Sequence, residues 1–162
     1  MSIAPHEICR RLGEAKVKEM FLALNSAAMK GSLLEAGLSA TRNPNHTSTK
    51  KRNEDWARRL WQSLQSAKPA PCKVLLFEWL RQTQGELLTA FLDAIEVPHS
   101  KGLTDADFMN QVPEEKLVEA AKLLLAHPKF DRRHVAVYLL FLDATNETSR
   151  FSKLELEQVL GT

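Results

Sequence analysis

The sequence predicts an all-α protein, a compact multi-helix bundle of six to eight helices with no sheet, on three observations. The first is the run Val135 to Leu142, eight consecutive apolar residues behind Asp131, a good N-cap. The second is the recurrence of apolar residues at helical spacing between capping and breaking signals along the rest of the chain. The third is the lack of any second β-rich run with hairpin punctuation that could pair with 135–142 as a strand. A helix that is apolar all round needs cover on every side. Arg132 to Ala144 is therefore expected at the centre of the packing.

Taken in order, Pro5 suits the first turn of a helix that runs to about Met29. Its apolar residues do not form one stripe: Ile8 and Leu12 lie nearly opposite Val17, Met20, Phe21, Leu24 and Ala28, so the helix breaks near Gly13 or is covered on two faces. Gly31 to Glu35 reads as a single capped turn, with Ser32 and Glu35 at capping-box spacing and Gly37 ending it. Residues 38–49 have turn chemistry and little to bury. From about Lys51 to Ala67 a helix presents Trp56, Leu60 and Leu64 on one stripe with Trp61 beside it, and Lys68-Pro69-Ala70-Pro71 ends it.

From Cys72 to Val97 the polar and apolar residues hold helical phase through Gly85, which predicts one long helix or two collinear pieces, stopped by Pro98. Thr104 with Asp107, and Leu103 with Phe108, have the spacing of a capping box and a hydrophobic staple for a short helix to Gln111. Pro113 opens the next helix, with Glu114 and Glu115 at the positive end of its dipole and Leu117, Ala120, Ala121, Leu124 and Leu125 on its buried face; His127-Pro128 closes it. The last helix is marked by Ser152, Glu155, the pair Phe151 and Leu156, and Gly161. Phe-Leu-Asp-Ala occurs at 91–94 and again at 141–144, each time near a helix C-terminus. Two such units fall short of the three that a solenoid needs, and coincidence is the default.

At 162 residues, with 44% hydrophobic and 26% charged, the chain is expected to form a single helical domain, 1–162. In it, 1–68 supply N-terminal helices with a mobile basic loop at 38–52, and 73–162 form a compact helical body. Cys9 and Cys72 lack CxxC spacing, so a disulfide framework is not expected and a reducing compartment is the simpler home. No N-terminal segment resembles a signal peptide, and no apolar run approaches the roughly 20 residues that span a bilayer. The expectation is a cytoplasmic protein without a membrane partner.

The net charge of +2 hides an asymmetry: residues 41–68 hold seven basic against two acidic residues, whereas 73–162 hold ten basic against fourteen acidic. Lys50, Lys51, Arg52, Arg58 and Arg59, with Trp56 and Trp61 nearby, are the combination that phosphate neutralisation and base stacking use, which makes them candidate polyanion-binding residues. The competing reading puts Trp56 in the core and the arginines on a solvated face. Asp93 and Asp143 sit at helix C-termini, where a negative charge is mildly disfavoured, and are candidates for a carboxylate site or for hydrogen bonding to the following loops. Cys72, at a helix start beside lysines, is a candidate thiolate or a small core residue. His6 with Cys9, and His127, Asp131 and His134, match no metal motif, and no nucleotide-binding or hydrolase signature is present; no cofactor and no metal are expected.

The function these features point to is a non-enzymatic helical protein–protein interaction or regulatory module, for which a homodimer is the first partner to test. The alternative is a polyanion- or nucleic-acid-binding accessory protein acting through 42–59. A third reading is an enzyme of unassigned class using Asp93 and Asp143, or Cys72.

Overall fold

A computed structural model describes residues 3–40, 48–65, 69–104 and 106–161. Among them are nine α-helices, eight of at least eight residues and a ninth of five, two 3-10 turns, and no β-strand, as an all-α class requires. No helix is long and apolar enough to cross a membrane. The helices pack in two groups, 5–83 and 84–161.

The first group begins with α1 (Pro5–Leu12) and α2 (Glu14–Leu22), separated at Gly13, whose φ of 88° is open to glycine at little cost. The break resolves the two-faced pattern, because Ile8, Cys9 and Leu12 of α1 and Val17, Met20 and Phe21 of α2 are all buried. The expected continuation to Met29 does not occur. Asn25 accepts from the Ala28 amide at 2.9 Å and caps a new helix, α3 (Ser26–Glu35). Ser32, read as the start of a capped turn, lies inside α3, buried, and donates to the Ala28 carbonyl. Gly37 (φ 72°) then closes a Schellman motif, with Leu38 N–H bonded to Leu33 O and Gly37 N–H to Leu34 O, both at 2.9 Å.

Helix α4 (Thr49–Ser63) is capped by Ser48, two residues earlier than expected, and buries Trp56, Leu60 and Leu64 as its pattern requires. Of the expected mobile loop at 38–52, residues 49–52 are the first turn of α4. Residues 41–47, Arg42 included, and 66–68, with the expected helix end at Ala67 and with Lys68, lie outside the described residues. Helix α5 (Pro69–Thr83) overturns the reading of 68–71 as a terminator: Pro69 and Pro71 stand in its first turn, where a missing N–H forfeits no helical bond. It packs on α1, α2 and α3, so residues 73–83, expected in the C-terminal body, belong with the N-terminal helices.

The second group begins at Gln84, where the stretch 72–97, expected as one long helix or two pieces, divides in two, with α6 running Gly85–Ala94. Glu96 takes the left-handed conformation (φ 60°) and Val97 N–H bonds to Leu92 O at 3.0 Å, a helix stop usually given to glycine. Ala106–Gln111 is a 3-10 turn, and Thr104 donates to the Pro98 carbonyl instead of building the expected box; Leu103, the expected staple residue, is 43% exposed. Helices α7 (Glu114–Ala126) and α8 (Arg132–Asn146) lie close to the expected positions, with Pro113 and Asp131 as N-caps, although Leu125 is only half-buried. The expected box at Ser152 is replaced by a 3-10 turn (Ser152–Leu154) and a left-handed Glu155, so α9 is only Leu156–Leu160.

Helix α8 is the axis of this group. Val135 to Asp143 are all buried, α7 and α9 pack on it, and Phe91 of α6 meets Tyr138 edge-on at 5.5 Å and Phe151 at 6.2 Å. Aromatic edges of this kind add about 0.5–1.5 kcal/mol each to the area they bury.

Candidate functional site

A groove of about 700 Å³ lies between α6 and the C-terminal end of α7. Helical phase explains its floor: with Leu87, Leu88, Phe91 and Leu92 turned into the core, the outer face of α6 carries Glu86, Thr89, Ala90, Asp93 and Ala94. The two alanines keep that face low. Opposite them stand Leu123 and Leu124 of α7, then His127, Lys129 and Phe130, and Leu123 is 68% exposed.

Both ends of the groove are tied by polar contacts. At one, Lys129 pairs with Glu86 at 3.1 Å, and the His127 ring lies 5.2 Å from that of Phe130. His127 Nδ1 accepts from the Lys129 amide, which leaves Nε2 to carry the proton of the neutral ring. At the other end, His99 accepts the Gly102 amide at Nδ1 (3.0 Å) and donates from Nε2 to Asp93 Oδ1 (2.7 Å). His99 thus latches the turn Ser100–Leu103 to α6. That turn has paired backbone bonds and positive φ at both Lys101 (53°) and Gly102 (83°), the I′ hairpin combination. A Cβ on Gly102 would stand 2.7 Å from Leu88 Cβ, so glycine is what lets the turn rest on α6 and hold Lys101 at the groove's rim. Farther along, Lys116 of α7 binds Glu96, and this bond and the lysine charge hold the Glu96 carboxyl below its ordinary range.

The residues singled out from sequence take different places. Asp93 lines the groove and is hydrogen-bonded to His99. Asp143 is buried in another setting, where it accepts from Thr148 Oγ1 (2.7 Å), Arg150 N (2.9 Å) and Phe151 N (3.1 Å). Each carboxylate organises its own following loop. Cys72 is fully buried in the first group and hydrogen-bonded to Cys9, which with burial pushes the Cys9 thiol well up.

Of the basic residues on α4, Arg58 pairs with Asp55 at 2.6 Å, Arg59 donates to the Ser39 carbonyl, and Arg52 stacks 4.4 Å from the Trp56 ring while bonding Asn53. Lys50 and Lys51 are exposed, and Trp56, 1% exposed, offers no face for base stacking. His134 lies 3.9 Å from Asp131, and no group of three or more potential metal ligands forms among the described residues.

Sequence reasoning missed His99, Leu123 and Phe130. His99 had only the Lys-Gly turn signal beside it, and an exposed leucine in an amphipathic helix carries no mark of its own. No protein-family model, curated protein or solved structure matches the chain.

Proposed function

We propose that this protein is a non-enzymatic helical interaction module that receives a partner polypeptide in the α6–α7 groove. The observation that carries the reading is Leu123, 68% exposed in a groove also lined by Ala90, Ala94, Leu124 and Phe130. A groove with an apolar floor, small residues on one wall and charged residues at its rim suits the apolar stripe of an amphipathic helix. Catalysis has less support, because the two carboxylates that line the groove are already engaged: Glu86 with Lys129, and Asp93 with His99.

A photo-reactive side chain at position 123 should crosslink to a polypeptide in extracts of the source cells, and Phe130→Asp should abolish the adduct with the far-ultraviolet circular dichroism unchanged. Adduct yields no higher than from a probe at Lys73 end this reading. Sedimentation over a range of concentrations then tells whether the partner is a second copy. The polyanion alternative rests on exposed Lys50 and Lys51. It requires retention on a nucleic-acid column that falls steeply with salt and is lost when Lys50, Lys51, Arg52, Arg58 and Arg59 become Ser.

A further inference from the structure

We infer, resting on the reading of the α6–α7 groove as a polypeptide site, that its occupant is an acidic amphipathic helix, one that lays an apolar stripe along the groove and sets a carboxylate against Lys101 and His127. The wall supplied by α6 fixes how much helix is held. Eight residue steps separate Glu86 from Ala94, about 12 Å at 1.5 Å per residue. About two turns of a guest helix match that length, so its apolar side chains at i, i+3 or i+4 and i+7 meet Ala90, Ala94, Leu123 and Phe130.

Charge decides the kind of guest. Both groove carboxylates are engaged within the chain, Glu86 by Lys129 at 3.1 Å and Asp93 by His99 at 2.7 Å. Two donors are not. Lys101 is exposed and has no hydrogen bond or ion pair among the described residues, and His127, whose Nδ1 accepts the Lys129 amide, has no partner among them for Nε2–H. Both donors belong to the same end of the groove. The turn that carries Lys101 rests on the first turn of α6, where a Cβ on Gly102 would lie 2.7 Å from Leu88 Cβ and 3.4 Å from the Gly85 carbonyl, and the Glu86–Lys129 pair brings the end of α7, with His127, to the same turn. Asp93 lies about two turns farther along α6, so the guest carboxylate belongs over Gly85 and away from Asp93.

The lysine stands at a backbone position that suits other residues better. It is the first central residue of the I′ turn, at φ 53°, where Asn, Asp and Gly are taken more readily. The approach of Gly102 to Leu88 and the bond from the Gly102 amide to His99 Nδ1 hold the turn down. The Cα of Lys101 is thereby fixed at the groove's rim, while its flexible stem is free to bring the ammonium over a guest. A rim cation so placed selects among helices of equal apolarity by their charge.

The test titrates the full-length protein, by fluorescence anisotropy, into three dye-labelled, hydrocarbon-stapled helical peptides, acetylated and amidated. All three carry leucine at i, i+3 and i+7 and differ only in two flanking residues, which are Glu, Gln or Lys. At low ionic strength the Glu peptide should bind about threefold tighter than the Gln peptide and about tenfold tighter than the Lys peptide. The preference should shrink in high salt, disappear in Lys101→Met and invert in Lys101→Glu. Equal binding of the three peptides, tightest binding of the Lys peptide, or a Glu preference that survives Lys101→Met would overturn the acidic guest and leave the groove as a polypeptide site. Binding of none of them, or binding that Phe130→Asp does not weaken, would remove both. If a Lys101 variant fails to fold, the order of the three peptides on the unaltered protein and its salt dependence still decide.

Discussion

Asp93 and Asp143 occupy the same place in the same tetrapeptide, and replacing each by Ala should separate them by several kcal/mol. Asp143→Ala removes the acceptor for Thr148 Oγ1, Arg150 N and Phe151 N, the last of these bonds being buried. Hydrogen bonds to a charged acceptor are worth about 1.5–3 kcal/mol each, and a buried N–H left without an acceptor costs about 1–3 kcal/mol. Water can serve the hydroxyl and the Arg150 amide in part, so the net loss should be about 3–5 kcal/mol. Asp93→Ala loses one bond to His99 from a side chain 67% exposed, which should cost about 1 kcal/mol or less. The assay is urea unfolding followed by far-ultraviolet circular dichroism, with equal m-values required before midpoints are compared. Trp56, Trp61 and Trp79 all lie in 5–83, so tryptophan fluorescence recorded in parallel reports the first group separately. Equal losses from the two variants, within about 0.5 kcal/mol, would refute the assignment of Asp143 as the loop's organiser.

Three further outcomes rest on the packing. Leu139→Ala, at a fully buried position in the middle of α8, should cost about 2–5 kcal/mol, whereas Leu22→Ala, 42% exposed, should cost about 1 kcal/mol or less in the same titration. Gly102→Ala puts a methyl against Leu88 Cβ at a φ of +83°, and should cost about 1–3 kcal/mol and accelerate hydrogen exchange of the amide at position 102; an unchanged exchange rate would show that the close approach to Leu88 does not hold the turn in place. Glu96 is held below its ordinary 4.5 by Lys116, so its contribution is present at neutral pH and disappears as pH falls through the depressed value. Lys116→Met should therefore flatten the acid limb of the stability curve below about pH 4.5 and leave its slope at pH 7 unchanged.

Helix identity was legible wherever a local signal decided it. Asp131 and the unbroken run behind it define α8, Pro113 defines α7, and the stripe of Trp56, Leu60 and Leu64 defines the buried side of α4. The errors fall where two local signals compete for the same residues. Asn25 is a strong cap but stands inside a stretch of helix formers, so the end of α2 was hidden; Ser32 has box spacing to Glu35, yet its hydroxyl is satisfied by the Ala28 carbonyl within α3. Pro69 and Pro71 are as good at opening a helix as at ending one, and the packing of residues 72–83 on α1, α2 and α3 decides for opening. The stops at Glu96 and Glu147 use left-handed glutamates, which nothing in composition marks.

The candidate sites show a different limit, because their chemistry is fixed by residues far apart or by depth. Helical phase placed Asp93 on the polar face of its helix, and its exposure is the direct result; the same tetrapeptide in α8 lies on a helix covered all round, so Asp143 is buried and must be satisfied by the loop after it. The difference is not in the four shared residues. It arises because Thr148, Arg150 and Phe151 fold back over one aspartate, while His99 reaches the other from the side and presents its second nitrogen to Gly102. Cys72 is the extreme case: its neighbour in space, Cys9, lies at the opposite end of the N-terminal group, and only the packing of α1 on α5 makes a pair of them.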